Sequence, residues 1–290
     1  MPRLAVEKTF KLYINGQLPR SESGRSLPVR DADWNVVCRV AHASRKDLRN
    51  AVVAARGAFP GWSGRDAYNR GQIIYRMAEM LEGKADEFAA ALRATGSYTP
   101  AETRREVAAS VDRLLAFAGW ADKYHQVLGG QNPVSGPFWN VTLAEPTGVV
   151  VCVCPDHAPL LALVSLLAPA LAAGDAAVVV ASPANPLPAA VLGEVCATSD
   201  LPPGVVNILT GDRAELIDWI ARHRDVDAVH ALGLPSDQTA ALRAGAAENL
   251  KRVAHHDLDE DDLHDRERCE SPLWIEPLIE YKTVWHPAAT

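Results

Sequence analysis

Three places in the sequence bring together side chains able to do chemistry. At Pro155-Asp156-His157 a carboxylate and an imidazole stand side by side, the kind of groups used in general acid–base work. Five cysteines, Cys38, Cys152, Cys154, Cys196 and Cys269, offer candidate nucleophiles, provided one of them can ionise. Farther on, His255, His256 and His264 are interleaved with Asp257, Asp259, Asp261 and Asp262, residue types that ligate divalent ions. Each place also has a plainer reading. The cysteines have no paired or metal-ligand spacing, and Cys152 and Cys154 project from one face of one strand as core thiols in a reducing cytoplasm. Cys269 sits in Arg-Glu-Arg-Cys-Glu, acidic surroundings that do little to favour a thiolate. The His/Asp run matches no defined ligand spacing and reads as an acidic, solvated linker, so no metal site is expected.

The elements that must position Asp156 and His157 follow from periodicity. Short β-branched runs at 149–154, 176–181, 205–209, 227–231 and 252–254 alternate with apolar helical stretches at 158–173, 187–197, 213–223 and 236–247. Strand and helix repeated in this way predict an α/β fold, a Rossmann-like doubly wound parallel sheet. Ligands in such sheets bind at the carboxyl ends of the strands, which is where Pro155 breaks the first run.

An N-terminal helical region precedes the sheet. Asn15-Gly16 predicts a tight hairpin turn. Ser44 with Asp47 forms a capping box ahead of a helix carrying Leu48, Val52, Ala55 and Phe59 on one face, with Pro60-Gly61 expected to stop it. Amphipathic helices follow at about 65–83, 84–95 and 101–125. Trp62, Tyr68, Tyr75 and Trp120, scattered along them among acidic neighbours, read as core rather than as a stacking platform. A Gly/Pro/Ser loop at 129–136 leads to a strand at about 137–146 with alternating side chains.

At 290 residues, 48% hydrophobic and 22% charged, the chain can bury a substantial core. Its net charge of −7 argues against nucleic acid, whose phosphates call for clustered Lys and Arg. The first ten residues carry charges without an apolar segment, so no secretory leader is expected. The apolar run at 158–174 holds Pro159 and Pro169 without a basic flank, so it is read as a buried helix and not a membrane span. A cytoplasmic location is the expectation.

Several motifs carry a family resemblance. Glu145-Pro-Thr-Gly-Val-Val, Ala168-Pro-Ala-Leu-Ala-Ala-Gly-Asp, Leu201-Pro-Pro-Gly-Val-Val-Asn-Ile-Leu-Thr-Gly and Asn249-Leu-Lys-Arg-Val resemble the aldehyde dehydrogenase superfamily. Tyr13-Ile-Asn-Gly, Ala54-Ala-Arg-Gly-Ala-Phe-Pro-Gly-Trp and Phe117-Ala-Gly-Trp-Ala-Asp-Lys resemble it upstream, in the same order. The resemblance implies an NAD(P)-binding domain over residues 1–253, with a flap strand at about 137–146. It also implies a site in which a Cys attacks an aldehyde, an Asn amide holds the oxyanion and a Glu acts as general base. Residues 254–272 then read as an acidic linker in place of a catalytic domain, and 273–290 resemble the family's final oligomerisation strand, which belongs with the flap and pairs with a neighbouring subunit.

The chain departs from the family at several functional positions. His157 stands at the oxyanion Asn position, with Asp156 adding negative charge beside it. Pro155, Ser182, Asn185, Gly211 and Gly233 are the positional equivalents of cofactor-contacting residues, but Ser182 replaces a ribose-binding Lys and Asn185 a Glu. No Lys or Arg occurs between Lys123 and Arg213 to meet a pyrophosphate. Ordinary NAD(P) binding is therefore not expected, and no intact catalytic residue is assigned. The function that follows is a non-catalytic pseudoenzyme, an assembly or regulatory subunit forming a homo-oligomer or a hetero-oligomer with a full-length aldehyde dehydrogenase. Two alternatives stand beside it: an NAD(P)-dependent aldehyde oxidoreductase, alone or in a complex, and a metal-binding protein acting through the His/Asp linker.

Overall fold

The structure, a computed structural model, describes residues 7–288. Most of the leader reading concerns residues 1–6, which lie outside the described residues. Strands β1 (Thr9–Phe10), β2 (Ser26–Arg30) and β3 (Val36–Ala41) form a small sheet, followed by helices α1 (Arg45–Ser63), α2 (Ala67–Gly83), α3 (Ala85–Arg93), α4 (Pro100–Trp120) and α5 (Tyr124–Leu128). Strands β4 (Gly130–Gln131) and β5 (Phe138–Pro146) lead into the main alternation. That alternation runs β6 (Val149–Val153), α6 (Leu161–Ala173), β7 (Ala176–Val180), α7 (Leu187–Thr198), β8 (Val206–Leu209), α8 (Arg213–Arg222), β9 (Ala228–Leu232), α9 (Ser236–Asn249) and β10 (Arg252–His256). Short helices α10 (Glu260–Leu263) and α11 (Arg266–Cys269) precede β11 (Ile279–Pro287).

The five parallel strands lie in the order β10-β9-β6-β7-β8, the doubly wound α/β arrangement that the alternation predicts. Because side chains alternate along a strand, β6 sends Val149, Val151 and Val153 to a layer with α1, α8 and α9, and Val150 and Cys152 to a layer with α2, α4 and α6. Helix α6 is buried along its whole length, which is why its sequence is apolar on every face rather than amphipathic. Each fully buried Leu or Val there contributes roughly 1.5–3 kcal/mol relative to exposure. The turn into β6 requires a glycine: at Gly148, φ is 137° and a Cβ would stand 2.1 Å from Asp227 Oδ2, which accepts from Val149 N at 2.7 Å and Arg56 at 2.5 Å.

The hairpin turn forms at Asn15 and Gly16, both at positive φ, with Ile14 and Gln17 exchanging backbone hydrogen bonds. Four expectations need correction. Helix α1 runs through Pro60 to Ser63: the ring removes one N–H from a half-exposed turn, and the Pro60 carbonyl still accepts from Gly64 N at 3.1 Å. The long helix expected over 101–125 breaks after Trp120 and resumes as α5 at Tyr124. Trp62 is in the core, but Tyr68 and Tyr75 are 64% and 52% exposed, because α2 turns Ile73, Ile74, Met77 and Leu81 inward instead.

The fourth correction concerns the stretch read as a solvated linker. Residues 252–256 form the fifth strand, and Leu258, Leu263 and Cys269 are buried in the same core as α4 and α6. The acids caused the misreading: Asp257, Asp259 and Asp261 face solvent while the spaced apolar residues between them face inward. Arg113, buried on α4, donates to Leu263 O at 2.8 Å and ties this segment down.

Strand β11 pairs antiparallel with β5 of the same chain, from Ile279 opposite Pro146 to Pro287 opposite Phe138. This pairing with β5 is made within the chain, along the inner edge of β11. The order β11-β5-β4 leaves the outer edge of β11 without a strand among the described residues. No helix among them is long and apolar enough to cross a membrane.

Candidate functional site

Strand order reverses between β6 and β9, so the crevice at their carboxyl ends is where a ligand of such a sheet belongs. A cleft of about 610 Å³ opens there, lined by Asp156, His157, Gly233, Leu234, Asp257 and Glu260 among others. Gly233 sits at φ 55°, and a Cβ would approach His157 Cε1 to 2.9 Å, so the imidazole lies directly against the backbone of the β9–α9 turn. His157 Nε2 is 3.1 Å from Leu258 O and is the protonated nitrogen in that bond. The segment read as a linker thus takes up the hydrogen bond that His157 would offer an oxyanion.

A residue that the sequence reading passed over closes the crevice further. Arg213, the first residue of α8, is 3% exposed and reaches across the carboxyl end of β6. Its guanidinium donates to Cys154 O at 2.7 Å, to Asp156 Oδ1 at 3.1 Å and to Gln238 Oε1 at 2.9 Å. One buried cation therefore links β6, α8 and α9. The signal lies in Gly211-Asp212-Arg213, a helix start where the side chain of the first residue points back over the sheet.

The start of α6 is occupied from within the chain as well. Buried Glu106 accepts from Leu160 N at 2.8 Å and Leu161 N at 3.1 Å, the free N–H groups that an anionic ligand would otherwise meet. Burial pushes its carboxyl up to about 7 despite those two bonds. Tyr98 hydroxyl accepts from Ala158 N at 3.0 Å, and burial beside Glu106 and Glu260 raises this phenol above its ordinary value.

The residues expected to contact a cofactor fall in two places. Pro155 and Gly233 come together beside His157, with a Cβ on Gly233 3.1 Å from Pro155 Cβ. Gly211, at φ 139°, instead lines a separate pocket of about 380 Å³ with Pro183, Ala184 and residues of β2 and β3, and a Cβ on it would meet His42 Cδ2 at 2.9 Å. Asn185 is buried and committed: its amide donates to Ala91 O at 3.0 Å and Leu92 O at 3.2 Å and accepts from Leu187 N at 3.2 Å. Ser182 is 1% exposed and its hydroxyl has no hydrogen-bond partner. Asp156 thus puts a carboxylate at the cleft, Glu106 occupies the start of α6, and Asn185 is committed to the α3 carbonyls.

All five cysteines are buried free thiols, and burial raises every one above its ordinary value, Cys154 and Cys196 to about 12. None is set to be a thiolate. The histidines of the acidic run separate. His255 Nε2 accepts from Leu234 N at 3.2 Å, His264 is half-buried, and His256 Nε2 lies 2.9 Å from Nε2 of buried His230. His230 Nδ1 faces Leu166 O at 3.0 Å and must donate there, so its Nε2 accepts the His256 proton and both rings are neutral. Burial pulls His230 down to about 3 and His256 to about 4, and His256 stacks on Trp274 at 4.1 Å. Among the described residues no three His, Cys, Asp or Glu side chains are grouped to hold a metal ion.

Comparison with known proteins gives the same lineage as the motifs. The aldehyde dehydrogenase family model matches residues 20–256. Mitochondrial aldehyde dehydrogenase of Rattus norvegicus is 34% identical over 251 residues, covering 84% of this chain and 47% of that protein. Mitochondrial benzaldehyde dehydrogenase of Antirrhinum majus is 36% identical over 248 residues, 84% of this chain and 46% of its own length. Among solved structures, PnpE in complex with nicotinamide adenine dinucleotide superposes with a TM-score of 0.81 at 29% identity, over 85% of this chain and 50% of that one. The chain spans about half the length of the curated relatives it matches. On the match over residues 20–256, it belongs to the aldehyde dehydrogenase family.

Proposed function

We propose that this chain is a non-catalytic aldehyde dehydrogenase-like subunit that acts by assembling, with itself or with a full-length aldehyde dehydrogenase. The observation that carries the proposal is the ribbon of β5 and β11. Phe138, Trp139, Leu143, Tyr281, Val284 and Trp285 are each 37–58% exposed on it, beside a β11 edge that has no strand partner among the described residues. A two-faced ribbon with open backbone groups and exposed aromatics is a surface built to be covered. The non-catalytic half of the reading is supported by the five buried thiols and by Asp156, Arg213 and Glu106, which neutralise or fill the positions a substrate or cofactor would use. The reading carries a cytoplasmic location, where free thiols stay reduced, and neither nucleic acid nor membrane as partner.

The experiment is co-expression with the full-length aldehyde dehydrogenases of the same organism, followed by the mass of whatever co-purifies. A discrete oligomer is expected. A lone monomer under those conditions overturns assembly. The rival reading, an NAD(P)-linked oxidoreductase, draws on the likeness to PnpE, whose structure holds the dinucleotide. Titration with NAD+ and NADH decides it: saturable binding with aldehyde-dependent NADH formation by the isolated chain would replace the non-catalytic reading.

A further inference from the structure

Apart from the β6–β9 cleft, the start of α1 and the end of α8 enclose a further concavity of about 340 Å³. Arg45, Arg49, Arg222 and Arg224 line it, together with Trp219, and Asp225 is the only acid among its lining residues. For a chain of net charge −7, four guanidiniums around one hollow run against the overall balance. None of the four has an ion pair or a side-chain hydrogen bond within the described residues. The Arg45 guanidinium lies 4.0 Å from the centre of the Trp219 ring. Trp219 is itself 42% exposed.

Arginines near the end of a helix ordinarily serve its free carbonyls. Here that task is already done. Buried Lys251 donates to Ile220 O at 2.6 Å, Ala221 O at 3.0 Å and His223 O at 3.0 Å, and Arg56 takes Asp225 O at 2.9 Å. The four arginines, all exposed, thus line the hollow without an ion pair among the described residues, with the Trp219 ring beside them. Guanidinium groups match phosphate oxygens bidentately and stack on aromatic rings, and a cavity of this volume suits a small molecule.

We propose that this hollow is a binding site for a small anion carrying two or more phosphate groups. It is separate from the β6–β9 cleft and independent of the assembly reading. A macromolecular acidic segment is the weaker fit, because the positive groups ring a single hollow rather than a track.

The test uses the full chain and inorganic tripolyphosphate as the probe, at low salt, followed by calorimetry and by tryptophan fluorescence. Saturable one-site binding is expected, weakened at least tenfold in Arg45→Gln/Arg222→Gln, and weakened again as salt is raised. Trp219→Phe should remove most of the fluorescence response while calorimetric binding persists, and Arg49→Gln alone should give an intermediate loss if the double variant folds poorly. Absence of saturable heat, binding that the arginine variants leave unchanged, or tighter binding of an Asp/Glu-rich peptide than of tripolyphosphate would each overturn the proposal.

Discussion

The five-stranded sheet and the β5–β11 ribbon are built from the same kind of strand and meet opposite fates. Every residue of β6, β7, β8 and β9 is buried, whereas all but the first residue of β11 is exposed. The sheet satisfies itself: helices cover both faces, and its open edges are short. The ribbon satisfies only its inner edge. The difference teaches that the strands that carry the core are not the strands that leave surface open, so damage to one need not register in the other.

The largest expected effect breaks the sheet side. Leu167→Ala, inside fully buried α6, removes side-chain packing and leaves a cavity, costing about 2–5 kcal/mol in the denaturant-unfolding free energy. A cost under about 1 kcal/mol would show that α6 is not a closed core.

Next in size is the pH response where the C-terminal segment meets the sheet. His230 and His256 are both depressed in the fold, so the unfolded chain takes up protons first as pH falls below about 6.5, and stability is lost from there down through about 4 and about 3. Buried His230 alone should give a slope of about 1.4 kcal/mol per pH unit in that window, and His230→Gln should flatten it. Glu106 acts in the opposite sense. Raised to about 7, its carboxyl contributes stability fully present below its ordinary 4.5 and lost as pH rises through about 7. Glu106→Gln should therefore gain on the wild type as pH rises from 4.5 to 7, and equal pH profiles for the two would refute the buried proton.

Smaller effects are expected on the ribbon. Trp285 meets Phe138 edge to face at 5.9 Å, so Trp285→Ala should cost about 1 kcal/mol at most while reducing the mass of the assembled species. Val284→Lys should change unfolding by no more than about 0.5 kcal/mol and still disrupt assembly. A ribbon variant that unfolds the chain, or one that leaves the assembly intact, would erase the division of labour between the two regions.

The sheet was legible because burial on both faces writes continuous apolar runs such as Ala176–Val180, and turn glycines punctuate them. The flanking detail was less so. Tyr68 and Tyr75 carry no mark of orientation until the inward face of α2 is known, and the acids of 257–262 masked Leu258 and Leu263, which need a long-range partner to be seen as core. The candidate site was legible as a place but not as a state. Position alone brings Pro155, His157 and Gly233 together, whereas Arg213 and Leu258 enter from 57 and 101 residues away, in contacts that no local pattern records.

The nine-residue pairing of β5 with β11 also fixes an order of events. Its two strands lie at opposite ends of the α/β alternation, so a nascent chain can complete the sheet while β5 still waits for its mate. Closing so long a loop is slow compared with local helix formation. The ribbon therefore matures after the five-stranded sheet, and a chain interrupted before residue 279 would present the strands of that sheet without a complete ribbon.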